Sequence, residues 1–406
     1  FLTPNSEKLN EIVLSVSRSS YDKNRLAKEV KVINNTQIRR LLPENTSSIL
    51  KQIPGIRVQQ SQGGGGSPVI RGFEANRVLL VIDGVRINNA IFRSGHLHNS
   101  LSIDPLFLER TEVMFGPSSV GYGSDAIGGV IHFYSKEPFT NENRKTDFSF
   151  STSKNFGQNI SKNTFLFEYS NKKFALLQSF SFSGFGDIVM GKKRHHGHEN
   201  WGKVFYYSQN TDSKYYPSPT INSNPNIQKN TNYNQFDLLQ KFIYKPSNNY
   251  KLLFNFQLSR SSNIARFDKL NQLNDDKLKY ARWEYGPQKR VLVSPQLLFF
   301  SEKDWIKSGK IILSLQTFSE SRIHRKFDEL TRKTQKEEVQ VYGLNGDFKA
   351  KIFNSDDLSY GVEVTHNTVE SNAFSQEIEI SENKIISLSA KTPITTRYPS
   401  DGSQYL

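Results

Sequence analysis

Arg110-Thr-Glu-Val-Met-Phe-Gly-Pro-Ser-Ser-Val-Gly-Tyr-Gly-Ser-Asp-Ala-Ile-Gly-Gly-Val-Ile-His-Phe-Tyr134 decides how the rest of the chain is read. Two strand-like runs, Thr111–Phe115 and Val130–Tyr134, flank fourteen residues that include Gly116, Gly121, Gly123, Gly128 and Gly129. Glycine admits positive φ and lets neighbouring backbone approach closely. Five of them around Tyr122 and Asp125 predict a tightly folded turn, not a linker. Before this stretch the chain reads as a small α+β unit; after it, as a series of amphipathic strands.

Working back from the stretch, Arg77–Ile82 and Val85–Ile87 flank Asp83-Gly84, a pair that favours a two-residue hairpin. Val69-Ile70-Arg71-Gly72 reads as a strand running into a turn. Thr36–Leu42 and Thr46–Ile53 read as short helices, with Asn35 and Asn45 as caps and Pro43 and Pro54-Gly55 as stops. Ile56–Gln60 is a short strand, and Asp104-Pro105 opens a further helical turn. Gln62-Gly-Gly-Gly-Gly-Ser67 is followed by no Gly-Lys-Ser/Thr and no helix, so a mobile loop is expected there and not a phosphate loop. Glu11, Ile12, Val13, Leu14, Ser15, Val16 and Ser17 form a β-prone run near the start. That run is either an edge strand of the small unit or an exposed segment able to add a strand to a partner's sheet.

Working forward, Phe148 and Phe150 alternate with Ser149 and Ser151, and Phe165, Phe167 and Tyr169 with Thr164, Leu166 and Glu168. Phe174, Leu176, Phe180 and Phe182 share one parity. Further strands are expected near Phe236–Tyr244, Lys251–Arg260, Arg290–Phe300, Lys310–Ser319, Val339–Lys351 and Leu358–Val369, about nine in all. Most reach the ~9–11 residues that cross a bilayer when tilted. Short connectors such as 170–173 and 246–249 alternate with long polar ones at 184–234, 261–289 and 371–406. This asymmetry fits an outer-membrane barrel whose long loops face outward, with the aromatic parity toward lipid and the hydroxyl-rich parity toward the lumen.

Composition supports that reading. No run approaches the ~18 apolar residues of a membrane helix, and only 36% of the 406 residues are hydrophobic, yet there are 29 Phe and 17 Tyr beside 3 Trp. Barrel strands hide their apolar face in alternation and score as polar on average. Cysteine is absent, which removes disulfides and thiolate chemistry. The net charge of +14 is spread through turns and loops without a basic helix. It points to anionic lipid head groups as partner and away from nucleic acid. Phe1 is no initiator, so a mature or trimmed chain is expected.

Gly116-Pro117-Ser118-Ser119 followed by Tyr122-Gly123-Ser124-Asp125-Ala126-Ile127-Gly128-Gly129 resembles the end of the plug of TonB-dependent outer-membrane receptors. Ile70-Arg71-Gly72 and Val81-Ile82-Asp83-Gly84-Val85-Arg86 match two further motifs of that plug in the family's order. The motifs cover residues 9–138. The family usually places an Arg directly before the Gly-Pro, where this chain has Phe115. The resemblance implies a transmembrane antiparallel β-barrel of about 22 strands, of which about nine are present, around an N-terminal α+β plug. It implies a coupling segment in residues 1–18 (Glu11 to Ser17), a plug over 19–138, an N-terminal part of the barrel over 139–406, and a place in the bacterial outer membrane. TonB would be the energy-coupling partner, with a surface lipoprotein as a further one.

No catalytic pattern occurs: there is neither a nucleophile elbow nor His-Glu-x-x-His. Binding candidates are histidines. Arg93, His96 and His98 lie in Arg93-Ser-Gly-His-Leu-His-Asn99, after the Asp-Gly hairpin; His195, His196 and His198 lie in the longest outward loop. Imidazole suits Zn, Cu, Ni and Fe, haem iron included. The plainer readings are hydrogen bonds from plug to wall for the first cluster and a solvated basic loop for the second. Arg93-Ser-Gly-His-Leu-His is also similar to a plug loop of the haem and haemoglobin receptors of this family. It implies no resident cofactor or metal, and haem or another metal chelate as transported ligand. A siderophore, a corrinoid, and an oligosaccharide or peptide remain alternatives. An outer-surface adhesion protein anchored by its barrel is the alternative of a different class.

Overall fold

The computed structural model describes residues 12–13, 21–22, 29–60, 63–92, 103–352, 356–399 and 402–405. The N-terminal unit is built on a five-stranded sheet of β1 (Val30–Asn34), β4 (Val78–Ile82), β5 (Val85–Arg86), β6 (Leu108–Phe115) and β7 (Gly129–Ser135). Its strand order is β1-β6-β7-β4-β5, with β4 and β7 parallel and the other pairs antiparallel. β2 (Ile56–Gln59) pairs separately with β3 (Ser67–Ile70). All five residues of β4 are buried, because both faces of this sheet are covered. Leu80 and Ile82 pack with Val113, Ile131, Phe133 and the helical Ile38, Ile49 and Leu50. Leu79 and Val81 face the other way, onto Met114, Val130, Tyr122 and Ala126. Tyr122 and Ala126 come from the glycine-rich turn, so the turn is itself the cover of the second face.

The helices are α1 (Asn35–Leu41) and α2 (Thr46–Leu50). Asn45 caps α2 as expected, but α1 is capped by Asn34, not Asn35. The Asn34 side chain accepts from Gln37 N at 3.0 Å and the Gln37 side chain accepts from Asn34 N at 3.0 Å, a capping box. Asn35 lies inside the first turn, where its amide instead donates to Leu108 O at 2.7 Å. The expected mobile loop is also corrected. Gly64, Gly65 and Gly66 are buried, and a Cβ at Gly64 would overlap Ile264. These glycines are there for close approach to the wall. Asp83 (φ 50°) and Gly84 (φ 88°) make the mirror-image turn that the hairpin twist requires.

Nine long antiparallel strands then follow in chain order: β8 (Lys145–Asn155), β9 (Ile160–Ser170), β10 (Phe174–Phe185), β11 (Tyr233–Ser247), β12 (Tyr250–Ser261), β13 (Lys289–Phe300), β14 (Ser308–Lys326), β15 (Thr331–Ile352) and β16 (Asp356–Ser381). All nine expected strands are present. β14, β15 and β16 are longer than expected, at 19, 22 and 26 residues. A bilayer needs ~9–11 residues per strand, so these three carry the wall well past it. Residues 371–381, expected in a loop, therefore belong to β16. The connector before β13 likewise holds the strand Tyr280–Tyr285, which pairs with Arg322–Lys326 of β14. No described helix is long and apolar enough to cross a membrane.

Register fixes the two faces of the wall. Phe148 lies opposite Phe167, Phe150 opposite Phe165, and Phe165 opposite Phe180. Phe148, Phe150, Phe165, Phe182, Phe242, Phe254, Leu313 and Val362 are exposed on the outer face, where lipid would cover them. Thr164 is buried on the inner face and Leu166 packs against the plug core, as the alternation requires.

Candidate functional site

The site is the seam between the plug and the inner wall. The Asp83-Gly84 turn drives into the lumen, and Asp83 is 7% exposed. Its carboxylate accepts from Ser135 N at 2.8 Å and Ser135 Oγ at 2.6 Å within the plug. From the wall it accepts from Asn255 Nδ2 and Gln257 Nε2, both at 2.9 Å, and pairs with Lys241 Nζ at 3.2 Å. Gln296 Nε2 donates to the Asp83 carbonyl at 3.3 Å. A buried carboxylate is tolerated only when paired and hydrogen-bonded, and this one is held by two wall strands, with a third on the backbone carbonyl of the same residue. Gly84 N donates to His132 Nε2 at 3.0 Å, which gives His132 a role the sequence did not suggest.

Three further nodes extend the seam. Arg86 pairs with Asp125 of the glycine-rich turn at 3.0 Å and with Glu363 of β16 at 3.3 Å, and donates to Tyr122 O at 2.5 Å. It thereby ties the hairpin, the turn and the wall together. Asp104 accepts from Leu106 N at 2.7 Å as a helical cap and from Ser181 Oγ of β10 at 2.7 Å, with Lys162 of β9 at 3.6 Å. Glu137 pairs with Lys251 at the start of β12. Between the hairpin and the strand ends on this side lies a cavity of about 1300 Å³, lined by Asp83, Arg86, Tyr134, Lys241 and Lys310 among others.

Sequence reasoning singled out Asp83 and Arg86 as motif residues and Asp104 as the start of a helical turn, without assigning any of them a wall contact, and missed the wall side. Lys241, Asn255, Gln257, Gln296, Ser181 and Glu363 read in sequence as ordinary lumen-parity polar residues. Asp237 and Lys241 carried a usable signal: two charges share the parity opposite Phe236, Leu238 and Phe242 in a bilayer-crossing strand. Charges there are expensive unless they face the interior and find partners.

Arg71 lies against Glu29 at 2.5 Å, with its guanidinium 5.0 Å from the centre of the Phe115 ring. Phe115 is itself buried, so where the family has a charge this chain has an aromatic that packs in the plug core. Gly72, Gly116 and Gly123 take positive φ. Pro117 ends β6, and Gly128 N donates to Arg77 O at 2.8 Å. Gly129, at φ 150°, sits against the Met114 carbonyl with no room for a Cβ.

Of the expected coupling segment, Ile12–Val13 pairs antiparallel with Tyr21–Asp22; Glu11, Leu14, Ser15, Val16 and Ser17 lie outside the described residues, as do Arg93, His96 and His98. His195, His196 and His198 are exposed in the outer loop. The His196 and His198 rings lie 5.6 Å apart, and His196 is edge-on to Trp201 at 5.3 Å. Among the described residues no cluster of three potential metal ligands occurs. Elsewhere in the outer loops Arg282 pairs with Asp212 at 2.7 Å. Burial alone would raise that carboxyl, but Arg282 and Arg332 bring it below the usual carboxylate range.

Residues 22–130 match the TonB-dependent Receptor Plug Domain family. The chain is 44% identical over 103 residues, 25% of its length, to a Vitamin B12 transporter BtuB of Vibrio vulnificus strain CMCP6, of which this stretch is 16%. A second such transporter, from strain YJ016, is 37% identical over 125 residues, 30% of this chain and 20% of that one. Among solved structures it is similar to the copper transporter OprC, with a TM-score of 0.64 and 13% identity over 93% of this chain and 50% of that one. It is also similar to the haemophore receptor HasR of Serratia marcescens, with a TM-score of 0.66 and 15% identity over 87% of this chain and 48% of that one. The ferripyoverdine receptor of Pseudomonas aeruginosa gives a TM-score of 0.64 and 12% identity over 97% of this chain and 50% of that one. The chain thus spans about half the length of these receptors. Residues 22–130 match a TonB-dependent receptor plug, and the strands that follow share the barrel fold of these solved receptors.

Proposed function

We propose, from the premise of a TonB-dependent receptor plug seated in an outer-membrane wall, that the whole protein actively takes up a scarce metal chelate. The observation that carries the transport reading is the seam. Asp83, Arg86 and Asp104 are plug groups whose buried polar partners stand on the barrel wall. A seam of charges and amides is one that water can re-satisfy when the plug is displaced. The energy would come through TonB, grasping Glu11 to Ser17 by strand addition. The extended backbone at Ile12–Val13, already in a short ladder, supports that use. Replacing Val13 by Pro removes an N–H and the ladder geometry. Uptake should be abolished while cargo binding stays intact, and unchanged growth on limiting cargo would refute the assignment.

The chelate reading is supported by the similar proteins, among them a vitamin B12 transporter, a copper transporter, a ferripyoverdine receptor and a receptor solved with its haemophore and haem. Haem is the first cargo to try, because His96 and His98 follow the hairpin and His195, His196 and His198 stand in the outer loop. Haem titration of the full receptor should shift the Soret band, and changing both His96 and His98 to Ala should weaken binding more than changing His195 and His196. No shift in wild type would turn the assignment to a siderophore or an oligosaccharide.

A further inference from the structure

Four residues form one row across neighbouring strands on the outward face of the wall: Phe182 of β10, Phe236 of β11, Arg260 of β12 and Lys289 of β13. The Phe182 and Phe236 rings lie 4.9 Å apart. Their sequence neighbours Ser181, Asp237, Ser259 and Arg290 are buried on the lumen side, so alternation turns the row outward. β12 ends one residue after Arg260 and β13 begins at Lys289, which puts the row at the loop-side rim. Below it on the same face stand Leu258, Phe256 and Phe254, register partners of Val291, Val293 and Pro295. Arg260 and Lys289 are exposed, and neither side chain has a hydrogen bond or ion pair to another described residue. Directly opposed residues hold their Cβ atoms roughly 4.5–5.5 Å apart, where like charges repel. The nearest acid in the row, Glu338, lies two strands beyond Lys289 and pairs with Lys336 at 3.7 Å.

We propose that Arg260 and Lys289 together hold the phosphate of a lipid of the outer leaflet, whose acyl chains lie on the apolar residues beneath. The oxygens of a phosphate accept only. The Arg260 guanidinium meets them with two parallel N–H groups, and the Lys289 ammonium as a point charge. One phosphate between the two replaces the repulsion of opposed cations by attraction to both. The occupant is a lipid and not a free ion because the cations cap an apolar face. Phe254 and Leu252, further down β12, are 42% and 44% exposed. An amphiphile answers the charged rim and the apolar face at once, whereas a phosphate from solution leaves the apolar part uncovered. The assignment rests on the outer-membrane placement of the wall and is independent of the cargo and of coupling to TonB.

The test titrates the purified full receptor in micelles with lipid A and with the same lipid stripped of its phosphates. Binding is read as a rise in thermal midpoint and by native mass spectrometry. Lipid A should bind more tightly than its dephosphorylated form. Combining Arg260→Gln with Lys289→Gln should weaken lipid A binding by roughly thirtyfold, about fivefold for each cation at an anionic lipid surface. Binding of the dephosphorylated lipid should not change. Equal binding of the two lipids, or unchanged lipid A binding by a folded double variant, overturns the site and leaves the membrane placement of the wall intact. Inorganic phosphate that raises the thermal midpoint as far as lipid A does makes this a free-phosphate site and overturns the lipid assignment. Binding of neither lipid overturns the site together with that placement.

Discussion

Asp83 donates its backbone N–H to the carbonyl of Phe133 at 3.0 Å, yet the two side chains belong to different interiors. Phe133 is fully buried among Leu80, Ile82 and Ile131 in the plug's hydrophobic core. Asp83 is nearly as buried but surrounded by Lys241, Asn255, Gln257 and Ser135. Apolar wall residues such as Leu177, Leu239, Leu292 and Val341 do touch the plug, but the seam alternates them with amides and charges. The core's burial is dry and gives the plug a fold of its own. The seam's burial is polar, and a buried ion pair contributes little net stability over an alternative while being costly to half-remove. One region keeps the plug folded and the other keeps it in place.

The largest effect that would break this comparison comes from the core. Phe133→Ala should cost about 3–5 kcal/mol and unfold the plug, seen as loss of protease resistance in residues 30–135 while the wall stays intact. If the plug merely loosened, core and seam would not be separable.

Asp83→Ala comes next, at about 3 kcal/mol, because it strands Lys241 in the interior. The plug should stay folded but admit bulky antibiotics through the barrel. Adding Lys241→Met should restore most of the loss, and a double variant as leaky as the single one would show that the pair is not the unit.

Lys251→Gln should have the smallest effect, about 0.2–1 kcal/mol, since the Lys251–Glu137 pair is partly open to water. Its effect should fade further in high salt, whereas that of Asp83→Ala should not. Equal salt sensitivity of the two, measured by denaturant midpoints in micelles, would erase the difference between rim and centre of the seam.

The strand wall was legible because alternation with period two is local. Phe165, Thr164 and Phe167 declare their faces within three residues, and one buried face fixes the register of each strand. The hairpin was legible because Asp83-Gly84 suits one turn geometry. Helix α1 shows where local reading fails by one residue. Asn34 and Asn35 are equally good caps in sequence, and the choice was made by β1, which holds Asn34 extended, and by the Leu108 carbonyl, which takes the Asn35 amide. The glycine run before Ser67 failed for a similar reason. Its flexibility in sequence is real, but Tyr233 and Ile264 of the wall and loop approach it closely and remove that freedom.

By itself, then, the sequence determined what each residue could state through its neighbours: period, turn chemistry, caps, and the ordered plug motifs that carry the family. Only the tertiary structure decided which polar residues of the wall meet which motifs of the plug. Lys241 finds Asp83 across more than 150 positions of chain and Glu363 finds Arg86 across 277. Nothing near Lys241 or Glu363 in sequence names a partner, because hydrogen bonds and ion pairs act over ångströms of space and leave no periodic trace along the chain.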